Sequence, residues 1–273
     1  MAHIDWLTIV GRRPEEPHDW TTNSAYLTAS QWLLERSDTF REAFESPMDY
    51  GIVKPRAPYS YARRSFDCTR TLYVHPLSAH FTFEASGTHC GKIAPYMPGI
   101  LRDFAPYLSR LDIAVDMECA VTPLEFDAAC NPARINTRSR MQSSTGETVY
   151  IGSRSSERFA RVYRYKAPHP RAHLLRAEFQ LKGDYAKQAG QAVAEGVAIN
   201  GLAAELGQVF GFEHPVWKVD AEPHKLKVAS HAQSGNTVHW LTTNIAPLMR
   251  RLQREGKLDI EAWFNEYVLS DDS

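Results

Sequence analysis

Two tyrosines set among arginines and a lysine are the residues of this chain best equipped for chemistry. They close the stretch Thr148 to Lys166, TVYIGSRSSERFARVYRYK, which reads as two short strands joined by a Gly-Ser-Arg-Ser-Ser loop. From Arg158 to Lys166 apolar and polar residues alternate. A strand there puts Arg161, Tyr163 and Tyr165 on one face and Val162, Arg164 and Lys166 on the other. A phenol surrounded by guanidinium groups can attack a phosphodiester whose charge those groups attract and hold. The plainer reading of the same residues is cross-strand aromatic packing.

Other elements must hold such a strand in place. Ile4 to Val10 reads as a first, buried strand, and from Ser24 to Phe44 apolar residues recur at helical spacing until Pro47 ends the pattern. Strands are expected at Tyr59 to Phe66, Thr71 to Val74 and His80 to Glu84. In the last of these, His80, Thr82 and Glu84 share one face while Phe81 and Phe83 enter the core. A helix broken near Pro95 and Pro98 precedes a strand at Arg110 to Met117, with Asp112, Ala114 and Asp116 on one face. Thr122-Pro123-Leu124-Glu125 is a helix start with a hydroxyl cap, a first-turn proline and a glutamate placed for a capping box. Further strands are expected at Thr137 to Gln142, Thr148 to Ile151, Arg158 to Tyr165 and Leu174 to Leu181. An Ala-rich helical region then runs from Asp184 to Phe210 with a break at Gly201, and two more helices lie at Ile245 to Glu255 and Ile260 to Val268. The order of elements gives an α+β fold in which two related α/β halves share one largely antiparallel sheet, followed by a helical C-terminal extension. The expected division is 1–183 for the chemistry and 184–273 for the extension packed on it, or one continuous domain.

With 273 residues, 43% hydrophobic and 23% charged, the chain has the make-up of a globular protein with a sizeable core. No apolar run approaches roughly 18 residues, so no membrane span is expected. The N-terminus lacks the pattern of a secretory signal. Cys68, Cys90, Cys119 and Cys130 show no CxxC spacing, which favours reduced thiols in a cytoplasm over disulfides or zinc. The net charge of −1 argues for no partner by itself, but the charges are unevenly placed. Between Arg134 and Lys187 there are twelve Lys or Arg and four Asp or Glu. Such a stripe suits a phosphate backbone, although a solvated face balanced by acids elsewhere accounts for it as well.

The run YIGSRSSERFARVYRYK, preceded by LSRLDIAVDM (Leu108 to Met117) and followed by LLRAEFQLKGDYA (Leu174 to Ala186), resembles the replication initiation factor family. These are rolling-circle initiators of small plasmids, conjugative elements and some filamentous phages. IDWLTI (Ile4 to Ile9) and FEASGTHC (Phe83 to Cys90) are weaker echoes, and together the motifs cover most of the chain in the family's order. The resemblance implies an HUH-endonuclease-like fold and a DNA nicking and joining enzyme that stays linked to the 5′ phosphate through tyrosine. It further implies origin DNA as substrate (a hairpin or a single-stranded nick site), host helicase and polymerase as partners, and a homodimer. By resemblance Tyr163 occupies the position of the nicking tyrosine. Tyr165 is its rival, because it stands where the family often has a lysine.

For a divalent metal, Mg²⁺ or Mn²⁺, the candidate ligands are Asp112, Glu178 and Glu84, since hard cations prefer oxygen. His80 is an auxiliary candidate, with an ordinary surface histidine as the bland alternative. No His-hydrophobe-His triplet is present. Arg154, Arg158, Arg161, Lys166 and Lys182 are the candidates for gripping phosphates. A DNA-binding regulator or degenerate initiator that recognises the origin without cutting it, and a metal nuclease that uses water, are the competing functions.

Overall fold

In the computed structural model the described residues are 1–12, 22–44, 50–74, 80–131, 137–144, 146–227 and 246–259. Residues Met1–Lys227 form one compact unit and Val228–Ser273 a second. The first unit is built on ten antiparallel strands in the order β2-β3-β4-β5-β1-β6-β10-β9-β8-β7. In chain order these are β1 Ala2–Arg12, β2 Gly51–Val53, β3 Tyr61–Arg64, β4 Arg70–Val74, β5 His80–Ser86, β6 Leu108–Glu118, β7 Arg138–Gln142, β8 Gly146–Ile151, β9 Arg158–Tyr165 and β10 Leu174–Lys182.

The order is a palindrome about the β1–β6 pair. In each half a long strand is followed by helix and then by a four-stranded meander whose last strand returns to pair with the first: β5 with β1, and β10 with β6. The two related halves expected from the order of elements are therefore present, joined edge to edge at β1 and β6. The helices of the first half are α1 Thr22–Arg36, α2 Asp38–Ala43, α3 Thr88–Lys92 and α4 Met97–Phe104; those of the second are α5 Pro123–Ala128, α6 Gly183–Ala194 and α7 Ile199–Phe210. Both α6 and α7 contact β6, so they belong to the sheet's own unit. In the second unit α8 spans Ala246–Arg254, while the helix expected at Ile260 to Val268 lies outside the described residues. No described helix is long and apolar enough to cross a membrane.

Period-2 alternation decides which face the helices cover. Leu7 and Ile9, Leu111 and Ile113, Ala177, Phe179 and Leu181, Ala160 and Val162, and Val149 and Ile151 are all fully buried. Aromatic rings from the helical layer pack on that face: Trp32 against Phe81, Phe40 against Phe83, and Phe210 against Phe179, with centroids 5.1–5.6 Å apart. Asp112, Asp116, Arg176, Glu178, Arg161 and Tyr163, which alternate with these core residues, lie on the other face.

Local signals account for most element ends. Thr122 caps α5 with both halves of its capping box in place. The helical pattern over 24–44 divides at Ser37, whose hydroxyl caps α2 at the Phe40 amide. The break expected at Gly201 falls instead at 195–198. Gly201 lies inside α7, where a Cβ would come 3.0 Å from the Glu222 carbonyl, so its smallness serves packing. Three-residue β2 gave no sequence signal. Gly211 ends α7 with φ of 70°, and the Asn131 amide bonds to its carbonyl at 2.8 Å. Gly211→Ala should lower the free energy of unfolding by about 1–2 kcal/mol through the left-handed backbone alone, and by more because the new Cβ would lie 2.6 Å from the Asn131 carbonyl oxygen. A fall in the urea midpoint at unchanged slope checks it.

Candidate active site

The strands β6, β10 and β9 lie side by side near the middle of the sheet, and their register lays the polar residues out in rows. One row is Asp116, Arg176, Tyr163; the next is Ala114, Glu178, Arg161; the third is Asp112, Gln180, Phe159. On the other flank β1 places His3 opposite Ala114 and Trp6 opposite Asp112, with a register shift between Ile4 and Trp6. The extra residue of that bulge is Asp5, which bonds toward the same face. Ala114, small and fully buried, is the floor around which the charged groups stand.

Those groups are paired. The Tyr163 hydroxyl donates to Glu178 Oε2 at 3.1 Å, and Arg161 Nη2 donates to Oε1 of the same carboxylate at 2.5 Å. The Arg161 guanidinium also sits 5.3 Å from the centre of the Tyr163 ring. Arg110 grips both oxygens of Asp112, with Nε to Oδ1 at 2.7 Å, and lies 4.5 Å over the Trp6 indole. Arg176 holds both oxygens of Asp116, at 2.6 and 2.7 Å, and Asp5 at 2.9 Å. Asp112, Glu178 and Arg176 are all buried.

Electrostatics follows from this geometry. Burial pushes Asp112 up, Arg110 opposes it, and the charge of Glu178 and a hydrogen bond shared with it add to the rise, to about 7. Burial would likewise raise Asp116, but the hydrogen bonds and charge of Arg176 hold it below the usual carboxylate range. Burial and then Glu178 push the Tyr163 hydroxyl well above its ordinary value, while Arg176 pulls it back. The phenol is thus a neutral donor at rest, already aimed at its neighbouring carboxylate.

Of the candidate ligands, Asp112 and Glu178 come together and Glu84 does not. β1 separates Glu84 from Asp112, and Glu84 is bound by Arg56 Nη2 at 2.5 Å. Its position is nonetheless telling. Glu84 faces Thr71 with Tyr73 two residues further along β4, just as Glu178 faces Arg161 with Tyr163 two residues further along β9. Glu84 is therefore the first half's counterpart of Glu178, not its partner. His80 stands at the outer end of β5, opposite Arg12, and is exposed.

Among the phosphate candidates, Arg161 and Lys182 share the face of Tyr163, and Arg154 lies 4.0 Å over the ring of Tyr150, the residue opposite Arg161. Arg158 points the other way, over Tyr185 of α6 at 4.3 Å. Lys166, past the end of β9, donates to the Ser143 carbonyl at 2.9 Å at the β7–β8 turn. Neither is brought to the tyrosine. Tyr165 shares Tyr163's face but lies beyond the last β9–β10 pair and stacks on His169, centroids 3.8 Å apart. Arg176, Arg110 and Asp5 were not singled out from the sequence. Alternation in RAEFQLK does put Arg176 on the face of Glu178, whereas the bulge that presents Asp5 has no sequence signature.

Two adjacent buried carboxylates fit a hard divalent cation. Magnesium commonly takes one or two carboxylates and completes its shell with water and substrate phosphate. Asp112 and Glu178 supply that much, with Arg110 and Arg161, 25% and 37% exposed, able to move aside toward solvent. No three His, Cys, Asp or Glu side chains gather to hold a metal among the described residues. The raised Asp112 sets a pH dependence. Because the folded state keeps the proton longer than the unfolded chain, stability from this group is full below about pH 4 and is lost as pH rises toward about 7. Thermal unfolding of the wild type across that window should show the loss, and Asp112→Asn should reduce it.

No protein-family model matches the chain, and no curated protein matches it. Among solved structures it resembles the rolling circle replication initiator protein from Geobacillus stearothermophilus, with a TM-score of 0.56 at 15% identity, over 77% of this chain and 84% of that one. The chain thus shares the α+β fold of that protein, a large antiparallel sheet with helices packed on it.

Proposed function

We propose that this protein is a rolling-circle replication initiator that cuts and rejoins one DNA strand through a covalent phosphotyrosine. The observation that carries the reading is the Tyr163 hydroxyl. It lies on the helix-free face, hydrogen-bonded to Glu178 and bracketed by Arg161 and Arg176 in register. The hydroxyl meets a buried carboxylate that Arg161 also binds, and Arg161 lies beside the tyrosine ring. The fold likeness supports the assignment by analogy.

In the proposed reaction the Tyr163 oxygen attacks phosphorus, forming an O–P bond as the bond from phosphorus to the 3′ oxygen breaks. The phenol proton leaves along the hydrogen bond to Glu178 Oε2, and the departing 3′ oxygen takes a proton from solvent. Arg161 and Arg176 offset the charge that builds on the non-bridging oxygens. A divalent cation held by Asp112 and Glu178 would polarise the phosphate. Arg154 and Lys182 are placed to grip the flanking backbone. The covalent bond to the 5′ phosphate stores the energy for rejoining, and the free 3′ hydroxyl serves a host polymerase, with a host helicase opening the duplex. Assembly as a homodimer belongs to the same reading.

A second reading is an origin-binding protein that does not cut. It is favoured by the way Arg110 and Arg161 occupy the carboxylates that a metal would need.

Supercoiled plasmid carrying the protein's own origin, incubated with Mg²⁺ or Mn²⁺, separates the two. Nicked product with protein on its 5′ end is expected, with the adduct abolished in Tyr163→Phe and retained in Tyr165→Phe. Asp112→Ala and Glu178→Ala should each reduce nicking by at least about 100-fold, the scale of losing one preorganised charge partner. Binding without any nick or adduct in the wild type selects the non-cutting reading.

A further inference from the structure

In the reaction proposed above, one proton passes to a side chain and the other comes from solvent: the phenol gives its proton to Glu178, while the departing 3′ oxygen has no protein donor. The attacking and leaving oxygens of such a displacement lie roughly in line on opposite sides of phosphorus. The Tyr163 hydroxyl points from β9 toward β10, where Glu178 accepts it. Continued across the sheet, that direction runs from Glu178 on β10 to Ala114 on β6 and then to His3 on β1, which are neighbours in register. At about 4.8 Å per strand, His3 and Glu178 stand roughly 10 Å apart at the backbone. The residue between them is the small Ala114, and the phosphate has its place above it. His3 is thus on the side of the site where the 3′ oxygen departs.

The imidazole is held toward the site. Its Nε2 lies 3.7 Å from Asp5 Oδ1, and its side chain is 34% exposed, open to an arriving strand. Asp5 in turn accepts from Arg176 Nη1 at 2.9 Å, and Arg176 faces Tyr163 in register. His3, Asp5, Arg176 and Tyr163 therefore follow one another around the same centre. Burial opposes the charge of Asp5, but the hydrogen bond of His3 and the charges of Arg176, His3 and Arg171 hold its carboxyl below the usual range. An anion beside an imidazole favours the protonated ring and fixes its orientation. The plainer reading is an ion pair at a strand end. Arg176 already satisfies that carboxylate, so His3 is not required to neutralise it, and Nδ1 of His3 has no hydrogen-bond partner among the described residues.

We propose that His3 is the general acid of the cutting step and the general base of rejoining. The inference rests on the DNA-cutting reading above and adds a catalytic residue to it. As the bond from phosphorus to the 3′ oxygen breaks, its electron pair stays on oxygen and the imidazolium proton passes to that oxygen from Nδ1. The products are a neutral imidazole and a 3′ hydroxyl. In the reverse direction the neutral ring takes the proton back as the 3′ oxygen attacks the phosphotyrosine, and Glu178 returns its own proton to the phenol. One carboxylate and one imidazole, on opposite sides of the phosphate, exchange roles between the two directions.

Single-turnover cutting by the full chain of an oligonucleotide spanning the mapped nick tests the assignment. The natural linkage is compared with one whose 3′ bridging oxygen is replaced by sulfur, which leaves as a thiolate and needs no proton. His3→Gln should slow cutting of the oxygen linkage about 100-fold and leave the sulfur linkage near the wild-type rate, so that the sulfur-to-oxygen rate ratio rises by the same factor. The amount of active protein cancels in that ratio, which therefore reports on the chemistry even where the variant folds poorly. An unchanged ratio, whether both rates fall or neither does, overturns the general acid and leaves the cutting reading standing. A wild type that binds the oligonucleotide and cuts neither linkage overturns both.

Discussion

The matching of buried carboxylates by guanidinium groups is the constraint on which this structure depends. Asp112, Glu178, Asp116 and Asp5 come together on three adjacent strands of one sheet face, and isolated burial of such charges is costly. Arg110, Arg161 and Arg176 each answer one or two of them, and the two-pronged grips of Arg110 and Arg176 fix the acids' orientation. What remains for Tyr163 is a single carboxylate oxygen, and that oxygen aims the phenol.

The fold supplies this arrangement by repetition. Each half brings its last meander strand back against its first, and the halves meet at β1 and β6, which places two like-constructed clusters on one continuous face. They have diverged in content. The second half has Arg161 opposite Glu178 and a partly buried Tyr163; the first has Thr71 opposite Glu84 and a buried Tyr73, with Arg56 arriving from a loop to neutralise the acid. On the polar face Thr8, Thr71, Thr82 and Glu84 of the first half are buried, with Arg56 and Tyr59 bonded to Glu84 and Thr82 from the loop before β3.

Alternation of residue type made the strands legible, because a half-buried strand must send every second side chain into the core. That period alone assigned Phe81 and Phe83 to the interior and put Asp112, Glu178, Arg161 and Tyr163 on polar faces. Capping chemistry was equally local: Thr122 and Glu125 satisfy amides within a single turn of their own helix. The break assigned to Gly201 shows where locality fails, since that glycine is small for the sake of a backbone 21 residues away in sequence, at Glu222.

Membership of a face is a one-strand property and is written in the sequence; which faces adjoin is not. Residues 112 and 178 share a site because β10 returns to β6 in one particular register, and Glu84 is excluded because β1 intervenes. The bulge at Asp5, the threefold engagement of Arg176 and the turning of Arg158 toward α6 depend on contacts between segments remote in sequence. Strand order and register are settled by the summed packing of the whole core, so only the assembled sheet could decide them.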